Sequence, residues 1–112
     1  MHTDLCRVSA IEISAEHEET VCNLFKMLGD PNRLKIVCAL MGTRMCVAHL
    51  AAYVGMEQSA LSHQLRNLKQ AGLVKSEKQG KQVFYSLDDE HVSGMIEQAA
   101  AHARHLRPIG GQ

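Results

Sequence analysis

Residues 47–71 read VAHLAAYVGMEQSALSHQLRNLKQA, which is two helical patterns on either side of Gly55. The first pattern covers Val47–Val54 and the second covers residues 57–71. The second has an apolar face with spacings of three and four, formed by Leu61, Leu65 and Leu68. Two helices joined by a tight, glycine-containing turn predict a helix-turn-helix, the unit that places its second helix in the DNA major groove.

A strand-like pattern begins after Gly72, a residue typical of helix ends. Val74–Lys78 and Gln82–Leu87 are two strand-like runs, and Gln79-Gly80-Lys81 lies between them as a turn. We therefore expect a β-hairpin directly after the second helix, which makes the unit a winged helix-turn-helix.

Three more helices are expected around this unit, and start signals mark each of them. They run from Ser14 to about Leu28 with Val21, Leu24, Phe25 and Leu28 on one face, from Asp30-Pro31 to Gly42, and from Asp88 or Asp89 to about His105. The predicted fold class is mainly α with a β-hairpin wing, in the order α-α-α-α-β-β-α. Residues 1–13 are expected to form a flexible N-terminal arm, 14–106 the DNA-binding and dimerisation domain, and 107–112 a flexible tail.

The composition of the 112-residue chain fits one small cytoplasmic domain. Its apolar stretches fall far short of the roughly 18 residues of a membrane span, so we expect no membrane partner. Four scattered cysteines fit reduced thiols in a reducing compartment. Two of them, Cys22 and Cys38, lie on or beside apolar stripes and are expected in the core.

The formal net charge is zero, which taken alone argues against a nucleic-acid partner. The charge is unevenly distributed, however. Residues 58–82 hold five basic and one acidic side chain, whereas residues 11–30 hold one basic and five acidic side chains. Local positive charge is therefore concentrated on the second helix and the hairpin.

The exposed face of the second helix carries polar side chains suited to base edges and phosphates. They are Gln58, Ser59, Ser62, His63 and Arg66, and Lys81 at the wing tip is placed to reach a flanking phosphate or minor groove. The alternative is the solvated face of an ordinary amphipathic helix. One monomer contacts few phosphates, so we expect a homodimer on palindromic double-stranded operator DNA.

The last predicted helix carries two pairs of metal-binding side chains, Asp89-x-His91 and His102-x-x-His105. Imidazole and carboxylate donors suit zinc. His91 and His102 lie 11 residues apart on nearly one face, which places them about 16 Å apart along the axis. One helix cannot close such a site, but two antiparallel copies about a two-fold axis would form two closed four-ligand sites across the dimer interface. The alternative is four ordinary surface residues, with Asp89 only a helix cap.

A weaker cluster combines Cys46 and His49, three residues apart, with Cys6 on the arm. A thiolate and an imidazole can bind zinc or a softer ion. The alternative is that Cys46 is simply buried.

Four segments resemble the ArsR/SmtB family of metal-responsive winged-helix repressors, and within it the zinc-sensing SmtB/CzrA branch. The segments are Met45–Leu50, Gln58–Arg66, Lys78–Lys81 and Tyr85–His91. The resemblance implies that Asp89, His91, His102 and His105 are regulatory zinc ligands and that Gln58, Ser59, Ser62 and His63 are operator contacts. Relatives that sense cadmium, lead or arsenic carry Cys-Val-Cys where this chain has Cys46-Val47-Ala48.

The predicted function is therefore a repressor that leaves its operator when zinc binds and so derepresses metal efflux or resistance genes. Cobalt, nickel and cadmium are alternative ions. No catalytic residues and no small organic substrate are expected. The alternatives are a thiol redox repressor of the same fold using Cys22, Cys38 or Cys46, a cadmium or lead sensor using the Cys46 region, a small zinc hydrolase, and a metal-independent winged-helix protein.

Overall fold

The computed structural model describes residues 11–110, which form five helices and a three-stranded sheet. In chain order the elements are α1 (Ala15–Leu28), α2 (Pro31–Ala39), β1 (Met45–Cys46), α3 (Val47–Val54), α4 (Gln58–Gln70), β2 (Val74–Gln79), β3 (Gln82–Leu87) and α5 (Glu90–Ala103). Helices α3 and α4 form the helix-turn-helix, and β2 and β3 form the wing. The predicted winged helix-turn-helix is confirmed.

The start signals act through side-chain caps at two helices. Asp30 Oδ2 accepts a hydrogen bond from the Arg33 backbone N–H at 3.0 Å, and Pro31 occupies the first turn of α2. Asp89 caps α5 in the same way. Ser14 precedes α1 as predicted, but its hydroxyl lies 3.0 Å from His17 Nδ1 and makes no side-chain cap to the backbone.

The turn between α3 and α4 depends on Gly55, whose φ of +75° lies in the left-handed region. Its N–H and that of Met56 both donate to the Ala51 carbonyl, at 2.9 and 3.0 Å. These bonds satisfy the end of α3 and reverse the chain, so that α4 begins three residues after Gly55. The tight turn that the sequence predicts is therefore a glycine-terminated helix end.

The sheet contains one strand that the sequence pattern did not indicate. Its order is β1-β3-β2, with β1 antiparallel to β3 and Met45 paired with Tyr85. Strand β1 has only two residues, too few to show an alternating pattern. It attaches the start of α3 to the middle of β3.

The core is formed mainly by the winged unit, defined here as residues 30–87. Its thirteen buried residues are Ile36, Val37, Leu40, Met45, Leu50, Ala51, Val54, Leu61, Leu65, Leu68, Leu73, Val74 and Val92. Only the last of them lies outside the winged unit. Because the three leucines of α4 are all buried, the opposite face of that helix points to solvent.

Two predictions about the helices were wrong for this single chain. Cys22 of α1 and Cys38 of α2 are exposed rather than buried. Phe25, on the predicted apolar face of α1, is 66% exposed as well. The reason is that the apolar stripes of α1 and α2 are wider than the surface that one chain places against them. Helix α5 also ends at Ala103 rather than near His105, because the chain continues in tighter turns in which the His105 N–H donates to the His102 carbonyl at 3.0 Å.

No helix within residues 11–110 is both long enough and apolar enough to cross a bilayer.

Candidate nucleic-acid interface and metal site

The polar face of α4 lies where the sequence predicts it. Gln58, Ser59, Ser62, His63 and Arg66 are all exposed. The leucines of the same helix are fully buried, so α4 cannot rotate without exposing them. The core therefore holds the five polar side chains in one outward orientation.

One acidic side chain at the start of α4 was missed in the sequence reasoning. Glu57 is the N-cap residue, but it makes no side-chain bond to the helix backbone. Its Oε1 instead accepts a hydrogen bond from Ser59 Oγ at 2.7 Å. The Glu57 carboxylate is therefore hydrogen-bonded to the hydroxyl of Ser59, a residue predicted to contact DNA. Its position directly before the exposed polar face was the signal that could have found it.

Helix α4 is joined to the wing by a polar contact. Lys69 Nζ donates to Ser76 Oγ of β2 at 2.7 Å. At the base of the hairpin, the Asp88 N–H donates to the Leu73 carbonyl at 3.0 Å. The two bonds join α4, the hairpin and the segment that leads into α5.

The wing tip is the turn at Gly80 and Lys81, and the Lys81 side chain is exposed there. A second basic residue, Arg44, lies against the hairpin. Its guanidinium lies 4.9 Å from the centroid of the Phe84 ring, and Nη2 donates to Gln79 Oε1 at 3.0 Å. Nothing in the local sequence pattern singled out Arg44, because its partners lie more than 30 residues away in the chain.

The first pair of predicted metal ligands comes together at the start of α5. His91 Nδ1 lies 3.2 Å from Asp89 Oδ2, with 93% of the His91 side chain exposed. The hydrogen bond from the His91 ring lowers the pKa of Asp89 below its ordinary value, helped by the backbone N–H groups of His91 and Val92. Asp89 is therefore both a helix cap and a carboxylate held in its charged form.

The second pair lies at the other end of α5. His102 is in the last helical turn, His105 follows it by one turn, and both are exposed. Within residues 11–110 no three His, Cys, Asp or Glu side chains cluster closely enough to hold a metal ion. The four predicted ligands therefore form two separate pairs in one chain, as the spacing predicts.

The structure describes two of the three residues of the predicted accessory cluster. Cys46 is a half-buried free thiol at the end of β1, and His49 is exposed in the first turn of α3. Cys6 lies outside the described residues. No acidic or imidazole side chain in the described part of the chain joins this pair to make a three-ligand group.

Comparison with known proteins identifies the family. Residues 30–76 match the model of the bacterial regulatory protein family arsR. The chain is 36% identical over 98% of its length to a cadmium resistance transcriptional regulatory protein CadC homolog of Staphylococcus aureus, and it covers all of that protein. The chain belongs to the ArsR family.

Two further relatives agree with this assignment. The transcriptional regulator NmtR of Mycobacterium tuberculosis is 42% identical over 77% of this chain and 72% of its own length. The solved winged helix-turn-helix domain Mb0332 of Mycobacterium bovis, described as homodimeric, superposes with a TM-score of 0.75 at 26% identity, covering 90% of this chain and 97% of that domain. The ArsR-family segment, residues 30–76, includes Arg44 and Glu57, the two residues that the sequence reasoning missed.

Proposed function

We propose that this ArsR-family protein is a cytoplasmic, metal-responsive transcriptional repressor that binds operator DNA as a homodimer and leaves it when zinc binds. One observation carries the proposal: a helix-turn-helix with an exposed polar face lies in the same chain as two exposed metal-binding pairs at opposite ends of α5. One chain contains the whole winged unit. The proposed metal site, in contrast, needs ligand pairs from two chains.

The DNA-binding part of the proposal assigns α4 to the major groove. Gln58, Ser59, Ser62 and His63 provide hydrogen-bonding groups for base edges, and Arg66 provides a charge for the backbone. The wing supplies Lys81 at a flanking phosphate or minor groove. The outward orientation of α4, fixed by its buried leucines, supports this assignment.

The homodimer is supported by apolar surface that one chain leaves uncovered. A groove of about 280 Å³ lies between α2 and α5, lined by Leu34, Cys38, Ile96, Ala99, Ala100 and Ala103. Phe25 of α1 is exposed as well. Contiguous apolar surface of this kind is typical of protein interfaces, and the solved relative from Mycobacterium bovis is described as homodimeric. A second copy of this chain is therefore the proposed occupant.

The residues of α5 fit a divalent metal. The lowered pKa of Asp89 keeps its carboxylate charged at neutral pH, and the neighbouring His91 side chain is free of the core. With two antiparallel α5 helices, Asp89 and His91 would lie near the second pair of the other subunit, which gives three nitrogen donors and one oxygen donor. Such a donor set favours zinc, with cobalt, nickel and cadmium as the alternatives that the test must separate. When bound, the ion supplies a link between the two α5 helices.

The regulation requires that the metal-bound dimer and the DNA-bound dimer differ in shape. Metal can weaken operator affinity only by binding one shape more tightly, and DNA must then weaken metal affinity by the same factor. We expect linked α5 helices to change the spacing of the paired α4 helices away from one DNA turn. His102 is the proposed transmitter, because its second ring nitrogen would donate to a backbone carbonyl near the end of α4.

The test uses a fluorescent duplex selected by the metal-free protein from a random-sequence library. Fluorescence anisotropy measures its affinity with and without zinc, cobalt, nickel and cadmium. For the wild type we expect zinc to weaken binding by about 5- to 150-fold, the usual range of allosteric coupling. Asp89→Ala and His102→Ala should retain the metal-free affinity and lose the zinc response.

The control is His17→Ala, which removes an exposed histidine of α1 far along the chain from both pairs. It should respond to zinc like the wild type. A His102→Ala variant that no longer binds DNA without metal, or that still responds fully to zinc, contradicts the assignment.

The Cys46 region is retained as an accessory metal site. The free thiol of Cys46 and the exposed imidazole of His49 support it, together with the similarity to the cadmium resistance protein CadC homolog. Cys6 is the proposed third ligand. Cys46→Ser should weaken cadmium binding, measured by thiolate-to-metal charge-transfer absorbance, without changing the zinc response.

A further inference from the structure

Arg44 contacts both strands of the wing from a position just before β1. Besides its contacts with Phe84 of β3 and Gln79 of β2, its Nη1 lies 3.6 Å from Glu77 Oε1. Glu77 and Phe84 are cross-strand partners, and Gln79 alternates onto the same face of β2 as Glu77. All three contacts therefore lie on one face of the hairpin, opposite the face that carries the buried Val74.

The outer part of the hairpin has little else to hold it. From Glu77 to Val83 every side chain is exposed, and a two-stranded hairpin is marginally stable on its own. The hydrogen bond from Arg44 ends at Gln79, directly before the Gly80-Lys81 turn. Arg44 is therefore placed to limit the motion of the tip that carries Lys81.

The same contact changes the charge that the wing presents. Glu77 is the one acidic residue among residues 58–82. An unpaired carboxylate there would repel the phosphates that the basic side chains attract, and salt would screen that repulsion only in part. Pairing with Arg44 offsets it.

The residue type fits the role. A planar guanidinium can stack on an aromatic ring while its separate N–H groups reach two acceptors, whereas a lysine ammonium offers one point charge. Arg44 uses the ring of Phe84 and the oxygens of Glu77 and Gln79 in this way. Lysine at position 44 would keep the charge and lose the simultaneous contacts.

We propose that Arg44 is a positioning residue for the wing, which holds the tip so that Lys81 reaches DNA and offsets the charge of Glu77. The proposal rests on the proposed DNA-binding function. It assigns Arg44 no contact with DNA of its own.

The experiment is a double-mutant cycle on the metal-free, full-length protein with the selected operator duplex. Affinity is measured over a range of salt concentrations for the wild type, Arg44→Ala, Lys81→Ala and the double variant. We expect each single variant to bind several-fold more weakly, and Lys81→Ala to reduce the salt slope by about 0.9, the value of one lost phosphate contact. The loss in the double variant should be clearly smaller than the sum of the two single losses, because Arg44 holds the tip that carries Lys81; only the part that comes from the unpaired charge of Glu77 should add.

Two further variants make the cycle specific. Arg44→Lys should bind between Arg44→Ala and the wild type, since its charge still offsets Glu77 but does not hold the hairpin. Lys35→Ala removes an equal charge from an exposed site on α2 and should bind like the wild type. In the free protein, hydrogen exchange at the amides of Gln82 and Phe84, which face β2 in this register, should be faster in Arg44→Ala than in the wild type.

Several results would overturn the inference. Additive losses in the double variant would make Arg44 an independent phosphate contact. A lower melting temperature with unchanged affinity and salt slope would make it a purely structural residue. If the wild type selects no operator, the proposed DNA-binding function is wrong. If hydrogen exchange is unchanged in Arg44→Ala, only the inference that Arg44 holds the wing is wrong.

Discussion

The winged unit and the two flanking helices, α1 and α5, differ in how much of their apolar surface one chain buries. Helices α2, α3 and α4 each bury two or more residues. Within the described residues, α1 has none that is fully buried and α5 has only Val92. The winged unit is therefore completed by its own chain, and the flanking helices have faces suited to a second copy.

This difference separates two tasks within a small protein. The polar face of α4 is held by a core that needs no partner, while the proposed metal ligands lie on a helix whose surroundings change on dimerisation. Met95 and Ile96 of α5 pack against the core, and Ile96 also lines the groove between α2 and α5. In the proposed dimer, a change in how two α5 helices meet would therefore reach the packing of the winged unit.

The largest effect is expected from a charge placed in the proposed dimer interface. Phe25→Asp should leave a folded monomer, because Phe25 is 66% exposed and packs little within its own chain. A monomer presents half of the phosphate contacts, so we expect operator affinity to fall by about 100-fold or more. Sedimentation velocity gives the mass, circular dichroism the helix content, and anisotropy the affinity.

The matched control is Ile109→Asp, which places the same charge at a fully exposed residue beyond α5. It should remain dimeric and bind like the wild type. A Phe25→Asp protein that stays dimeric would show that α1 does not contribute to the interface.

A cavity in the core of the winged unit should lower the stability of each folded chain, whereas a change at Phe25 should act on dimerisation. Leu65→Ala removes a fully buried side chain of α4, and we expect the free energy of unfolding to fall by about 3 kcal/mol, within the range for buried leucines. Phe25→Ala should change the unfolding of the dimer only in a concentration-dependent way. Urea denaturation combined with sedimentation velocity separates the two effects. A Phe25→Ala protein that is as dimeric as the wild type but as destabilised as Leu65→Ala would contradict the comparison.

Local sequence patterns were sufficient to predict the helices and the hairpin of the winged unit. The leucine spacing of α4, the Gly55 turn and the Asp30-Pro31 signal each have a local physical cause, and each is found in the structure. Strand β1 was missed because two residues have no period, and its pairing with β3 spans about 40 residues of chain. Pairings at such separation depend on tertiary packing rather than on local propensity.

In the candidate sites, too, local patterns predicted local features but not contacts between distant residues. Exposure of the polar face of α4 followed from its leucines, and the separation of the two metal-binding pairs followed from helix geometry. Arg44 was not predictable, because its three partners lie on strands far along the chain. The burial expected for Cys22 and Cys38 was wrong because an apolar stripe does not reveal which chain covers it.

A milder change tests the DNA-facing end of α4. Glu57→Ser should tighten operator binding several-fold, because it removes a negative charge beside the proposed groove contacts and frees the Ser59 hydroxyl. Serine is also a favoured N-cap residue, so helix α4 should not be weakened. Anisotropy measures the affinity, and Glu12→Ser, a charge change in the segment before α1, serves as the control. Weaker binding by Glu57→Ser would instead indicate that the carboxylate accepts a hydrogen bond from a base.

The smallest expected effect concerns the cap of α5 in the metal-free protein. The pKa of Asp89 is lowered by its hydrogen bond with His91, so the folded state binds that proton less tightly than the unfolded chain. The stabilisation is therefore fully present above the ordinary value of 3.8 and is lost as the pH falls through the folded pKa. Asp89→Ala should have a lower melting temperature than the wild type at neutral pH, and the difference should shrink in acid.

Asp88→Ala is the control, since the Asp88 side chain accepts no hydrogen bond among the described residues. If the difference between Asp89→Ala and the wild type stays constant with pH, the charged cap does not stabilise α5.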